Sequence, residues 1–182
     1  MPYLRNCWYL AAWSDEVGDE FLERRLLGDS VLMYRLSDGS VAALSNRCPH
    51  RFAPLHLGKR VGDAIQCPYH GLQYASDGSC IANPQGNRAT PAAARLHRYP
   101  VNERFGAIWY WPGDPSLADP SAIPDLSFLT DARSVGVHGY LHTEANYELL
   151  SDNILDLGHA DYLHPTSLGS KLNQPLENRW SH

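Results

Sequence analysis

The 182-residue sequence predicts an α+β protein: an all-β first domain followed by the opening of an α+β domain. Three observations predict it. Up to about residue 113, short apolar runs alternate with Asp-Gly turns. Between 113 and 130, Pro115, Pro120 and Pro124 stand among Asp and Ser, the composition of a connector. From Glu144 to about Leu163, apolar residues recur at helical spacing. The expected boundaries are a first domain at 1–113, a linker at 114–134, and the incomplete N-terminal part of a second domain at 135–182.

In chain order, Val31 to Leu36 and Val41 to Leu44 read as a hairpin, with Asp38-Gly39 supplying the positive φ of the turn. Gly71 to Tyr74, followed by Asp77-Gly78, repeats the pattern. The segments around Cys48 and Cys67 then fall on loops at strand ends, presented by a rigid sheet. Phe105 to Trp111 is a buried strand stopped by Pro112-Gly113, and its aromatics belong to the core. Val135 to Leu141 reads as a strand. One helix is expected over 144–163, with Thr143 as its N-cap and Tyr147, Leu150, Ile154, Leu155 and Leu157 on its apolar face. After Pro165 the periodicity is lost. No internal repeat or low-complexity segment is present.

A net charge of −5 and an isoelectric point of about 5.9 argue against a nucleic-acid partner. No run approaches the roughly 20 apolar residues of a membrane span. No basic stretch followed by an apolar one opens the chain, so a cytoplasmic protein is expected. Cys7 and Cys80 read as structural thiols.

Two short stretches carry the chemistry: Cys48-Pro49-His50 and Cys67-Pro68-Tyr69-His70. Each pairs one thiol with one imidazole at loop spacing. That is the donor set of a Rieske [2Fe–2S] cluster, in which two Cys hold one iron and two His the other. Two ferric irons, two sulfides and two thiolates sum to zero, so such a cluster accepts an electron more readily than an all-Cys one. A zinc site also uses two Cys and two His, but zinc fingers usually group like with like. Here each half holds one of each, with a proline and a nearby glycine (Gly58, Gly71). High-potential Rieske proteins carry two further cysteines near the cluster. Ala53 and Tyr69 stand in those places, which points to the lower-potential ferredoxins and oxygenases.

A second constellation comprises Asn153, Asp156, His159 and His164. Five residues turn an ideal helix by roughly 500°, so the two imidazoles would point about 140° apart and could not share a metal. Pro165 pushes His164 out of the α region and frees it to swing back. Two imidazoles and a carboxylate would form the facial triad of a non-haem Fe(II) oxygenase. Asp156, one turn before His159, suits a relay role better than direct ligation.

The sequence resembles the Rieske non-haem iron oxygenases, and most closely the vanillate O-demethylase-like oxygenase subunits. The resemblance covers nearly the whole chain. It rests on Asn6 to Trp13, Arg47 to Arg51, Cys67 to Gly71 and Asn146 to His159, continuing to His164. It implies an all-β Rieske domain followed by a helix-grip-like catalytic domain. Cys48, His50, Cys67 and His70 would bind the cluster, and His159 and His164 the mononuclear iron. Asp156 would bridge a Rieske histidine of one subunit to the iron of its neighbour in a homotrimer, with Asn153 near the iron. Electrons would come from NAD(P)H through a flavin/iron–sulfur reductase or a ferredoxin, and dioxygen would oxidise a methyl or methoxy carbon of an aromatic substrate. Family members are much longer, and their third iron ligand, an aspartate, lies far downstream. Glu177 is too close to His164 to replace it. The 182 residues are therefore expected to be a fragment, inactive alone.

Three readings stay open: the oxygenase component itself, an electron-transfer module with only the cluster, and a zinc-bound structural domain. Arg47, Arg51, Lys59 and Arg60 flank the first loop and read as solvated charges, with guidance of an acidic reductase as the alternative. His56, His97, His138, His142 and the terminal His182 are assigned to structure or surface.

Overall fold

The structure, a computed structural model, describes residues 3–133 and 135–164. The expectations placed on Pro165, Glu177 and His182 lie outside the described residues. The chain divides into two compact units, residues 1–138 and 139–182.

The first unit holds three antiparallel sheets. One joins β1 (Tyr9–Trp13), β10 (Ala107–Tyr110) and β9 (Val101–Arg104), in the order β1-β10-β9. The second joins β2 (Leu22–Leu26), β3 (Asp29–Arg35) and β4 (Val41–Ser45). The third joins β5 (Lys59–Val61), β6 (Ala64–Gln66), β7 (Gln73–Tyr74) and β8 (Cys80–Ala82).

The unbroken apolar runs of the expected first hairpin have a clear cause. On β3, Leu32 and Tyr34 enter one core, and Val31 and Met33 enter another. On β4, Ala42 and Leu44 enter the first and Ala43 the second. Over Val31–Tyr34 and Ala42–Leu44 the sheet is buried on both faces, so these two stretches are apolar at every position. The first core also contains Cys48 and Cys67.

Of the strand expected over Phe105 to Trp111, Ala107–Tyr110 forms β10, and Trp109 and Trp111 are buried as expected. Ile108 and Tyr110 face the second core, whereas Ala107 and Trp109 face a third cluster with Ile123. The stretch expected as a linker covers that outer face. Asp114 and Asp119 cap successive Pro-Ser turns by accepting from the N–H of Ser116 and Ser121. Ile123 is only 4% exposed, and Trp8 Nε1 donates to the Asp119 carbonyl at 2.8 Å.

Residues 135–164 correct three expectations. Residues 135–141 form no strand: Val135 and Val137 are 98% and 96% exposed, and no described strand pairs with them. A strand without ladder partners or a covered face gains nothing from extension. The single helix over 144–163 is instead α1 (Tyr147–Leu155), a 3₁₀ turn at Leu157–His159, and α2 (Ala160–Leu163). The N-cap is Asn146, not Thr143, because its side chain accepts from the Glu148 N–H at 3.1 Å. The helix breaks at Asp156, which leaves the α region (φ −86°, ψ 85°) and accepts from the Gly158 N–H. Tyr147, Leu149, Ile154, Leu155 and Leu157 are exposed. No helix among the described residues is long and apolar enough to cross a membrane.

Candidate metal centre

The two Cys/His loops leave β4 and β6, and they share one backbone design. The Cys48 N–H donates to the Ala53 carbonyl (2.9 Å), and the Phe52 N–H donates back to the Cys48 carbonyl (2.8 Å). The Cys67 N–H donates to Leu72 (2.8 Å), and the Gly71 N–H donates back to Cys67 (3.1 Å). Each loop therefore closes on its own cysteine, and each turns through positive φ four residues after it, at Phe52 (60°) and Gly71 (75°). Phe52 adopts a region that favours glycine, and the Arg47 guanidinium lies 3.9 Å from its ring centroid.

This design brings the expected ligands together. Cys48 and Cys67 are 1% and 3% exposed, in one core cluster. The imidazoles of His50 and His70 lie outside them, with ring centroids 4.7 Å apart. Burial pushes the Cys67 thiol above its ordinary range, opposed by the N–H groups of Tyr69 and His70 that point at its sulfur. Those N–H groups favour the thiolate, the form in which sulfur binds a metal. The donors thus form a buried thiol pair and an outer imidazole pair. Among the described residues no three His, Cys, Asp or Glu converge on a single ion. Two separate pairs suit a cluster whose irons each need only two protein ligands.

Sequence reasoning missed the residues that support these loops. Tyr74 Oη lies 3.2 Å from Cys48 Sγ. Burial pushes the phenol up, and toward a metal-bound Cys48 thiolate, which has no proton to give, the phenol is the donor. A donor to sulfur stabilises the reduced, more negative cluster and raises its potential. Tyr74→Phe is expected to lower the midpoint potential by roughly 40 mV, the one-electron equivalent of about 1 kcal/mol of differential bonding. Redox titration checks this, and an unchanged or higher potential would remove Tyr74 from the tuning role. Asn46, 4% exposed, is the second missed residue. It donates to Ser30 Oγ (3.0 Å), meets His56 Nδ1 (2.7 Å) and accepts from the His56 N–H (2.8 Å). These bonds tie β3 to the end of the first loop and account for His56 as structural. Asn46→Ala is expected to cost about 1 kcal/mol, because the side-chain hydrogen bonds of a buried amide to Ser30 and His56 are lost; denaturant titration of the apoprotein measures it. A signal existed for Tyr74, a polar aromatic on the strand that follows the second loop, but its partner is 26 residues away.

The flanking cations divide. Arg60 bonds to Asp19, Gly62 and Asp63 and lies over the Tyr34 ring, so it is structural. Arg51 and Lys59 are exposed. His97 packs edge-on against Tyr99, and His138 meets the Asp15 carboxylate at 3.1 Å. Cys7 and Cys80 are free thiols, and Cys80 packs against the first core.

In the second unit the helix breaks at Asp156, and His164, the C-cap of α2, lies outside the α region (φ −122°, ψ 45°), the conformation expected of a residue that precedes proline. With His159 on a 3₁₀ turn and His164 past the end of α2, their ring centroids are 5.5 Å apart. Asp156 Oδ2 lies 3.8 Å from His159 Nδ1, and Asn153 Nδ2 lies 3.5 Å from His159 Nε2. The four residues are gathered at one helix end, and no described carboxylate completes a triad.

Two loops, each giving one buried thiol and one outer imidazole, define a Rieske-type iron–sulfur protein. Residues 7–100 match the Rieske [2Fe-2S] domain family, and 143–179 match the vanillate O-demethylase oxygenase C-terminal domain. The chain belongs to the Rieske [2Fe-2S] domain family. It is 50% identical over 164 residues to the dicamba O-demethylase oxygenase component of Stenotrophomonas maltophilia, covering 90% of this chain and 48% of that protein. It is 39% identical over 167 residues to a vanillate O-demethylase oxygenase subunit of Pseudomonas sp. strain HR199, covering 92% and 47%. The crystal structure of dicamba monooxygenase bound to dicamba superposes with a TM-score of 0.86 at 49% identity, covering 91% of this chain and 49% of that one. The chain spans about half the length of the curated relatives it matches.

Proposed function

We propose that the protein acts in the oxygenase component of a Rieske monooxygenase or O-demethylase, taking electrons from a reductase or ferredoxin and using dioxygen on an aromatic substrate. The observation that carries this reading is the pairing of two buried thiols with two outer imidazoles on matched loops. Cys48 and Cys67 would hold one iron of a [2Fe–2S] cluster, and His50 and His70 the other. His159 and His164 would hold a mononuclear iron. When bound, the cluster supplies one-electron transfer and the mononuclear iron supplies dioxygen activation.

The chain's own groups set the conditions. The core around Cys48 and Cys67 keeps water from the sulfurs, Tyr74 donates to Cys48, and the N–H groups of Tyr69 and His70 face Cys67. Both histidines stay near the surface, where their second nitrogens can exchange a proton. Asp156 orients His159 and keeps a carboxylate oxygen available to hold a proton. In a homotrimer, that carboxylate would meet His70 of a neighbouring subunit.

The iron to acid-labile sulfide ratio of protein purified without oxygen tests the proposal. About two irons per two sulfides are expected from the cluster. Further iron would show the second site filled, and its absence would leave an electron-transfer module. Zinc without sulfide would overturn the reading.

A further inference from the structure

A groove of about 760 Å³ in the first unit lies away from the cluster loops, along residues 95–101. Arg95, His97 and Arg98 line it, all exposed, with Leu96, Val101 and Pro115 as its apolar wall. The only carboxylate among the lining residues is Asp77. It is already engaged, because Arg95 Nη2 donates to its carbonyl (2.8 Å) and its Oδ2 (3.1 Å). Arg98 makes no ion pair or side-chain hydrogen bond among the described residues. With Arg95 paired to Asp77, the groove carries a formal charge of +1, centred on Arg98, on a chain of net charge −5.

The segment is held rigidly. The Leu96 N–H donates to Gly78 (2.8 Å), the Ser45 N–H to His97 (2.8 Å), and the Tyr99 N–H to Ala43 (2.9 Å). Gly78 has φ +86° and no room for a Cβ against the Leu96 carbonyl, so this approach requires glycine. The cations are therefore presented by pinned backbone, and binding them orders little chain.

The floor of the groove connects to the redox site. Leu96 is 2% exposed and belongs to the same core cluster as Cys48, Cys67 and Tyr74. Tyr74 in turn touches Cys48 Sγ. A partner seated on Arg95 and Arg98 would face the cluster through packed side chains, while His50 and His70 stayed uncovered.

We infer that this groove is the docking site of an acidic electron-donor protein, whose carboxylates pair with Arg95 and Arg98. The inference rests on the function proposed above, which requires a donor. Charge complementarity selects the occupant: two guanidiniums in a wide, open, rigid groove match a carboxylate-bearing protein surface better than an uncharged small molecule. One electron passes from the reduced donor to the oxidised cluster, and no bond forms or breaks.

The test uses the cluster-loaded chain and a plant-type [2Fe–2S] ferredoxin as the acidic donor. Surface plasmon resonance measures binding of oxidised ferredoxin at low and high salt, and stopped flow measures reduction of the cluster by reduced ferredoxin. Arg98→Glu, and the pair Arg95→Glu with Arg98→Glu, are expected to weaken binding and slow reduction by about tenfold or more at low salt. The pair Arg95→Lys with Arg98→Lys should retain most of both, and photoreduction by deazaflavin should be equal in all variants. Groove variants that bind and are reduced like the parent would overturn the docking site, as would loss of binding from Arg51→Glu alone. Cluster content, read on the same samples, separates the two proposals. A cluster with no groove effect refutes the docking site alone, whereas absence of a cluster refutes the proposed function and the docking site with it.

Discussion

Gly58→Ala is expected to destabilise the apoprotein by about 3 kcal/mol and to cut cluster occupancy severalfold. The cause is a close approach, not a turn. Gly58 has φ −83°, which any residue adopts. A Cβ placed there would run into the Gln66 carbonyl and press on the Leu55 carbonyl. Both obstacles are backbone, so neither can rotate away. Gln66 ends β6 and immediately precedes Cys67, whereas Gly58 follows the first loop and begins the path into β5. The methyl would therefore wedge apart the two segments that hold the cysteines in register. Gly18→Ala is the control, since nothing lies within 4 Å of its Cβ. Denaturant titration gives the stability change, and iron and sulfide analysis gives the occupancy. Parent-like stability and cluster content in Gly58→Ala would show that the segments can separate without consequence.

Under the proposed function, Asp156→Asn is expected to leave the iron content unchanged and to lower turnover by about 100-fold or more. Asparagine and aspartate cap about equally well, so the bond from the Gly158 N–H and the break after α1 survive. What disappears is the charge 3.8 Å from His159 Nδ1, together with the capacity to take up a proton. Alanine would be a poorer probe, because it also removes the cap and lets α1 run on toward His159. Metal analysis and steady-state product formation check the prediction together. Normal turnover with both metals bound would end the relay role of Asp156.

Much of the centre was legible in the sequence because its chemistry is local. A thiol and an imidazole one or two residues apart on a loop can be read within a few positions, and the residue types state which donors are present. The continuous apolar run of β3 likewise announced a strand buried on both faces. The second unit was read less well. Thr143 and Asn146 are both acceptable caps, and only Asn146 has a backbone N–H in reach. The periodicity of 144–163 crossed a break made by one aspartate bonding two residues ahead, a device that leaves hydrophobic spacing untouched.

The sequence by itself determined the donor types, their spacing and the hairpins, because these depend on side-chain chemistry and short-range backbone preference. Only the tertiary structure decided that loops sixteen residues apart would repeat one backbone design, that Tyr74 would reach Cys48, that Asn46 would tie β3 to His56, and that residues 114–126 would cover β10. Each is a contact between distant segments. Such contacts are settled when packing selects which faces meet, and no short window of sequence contains both partners.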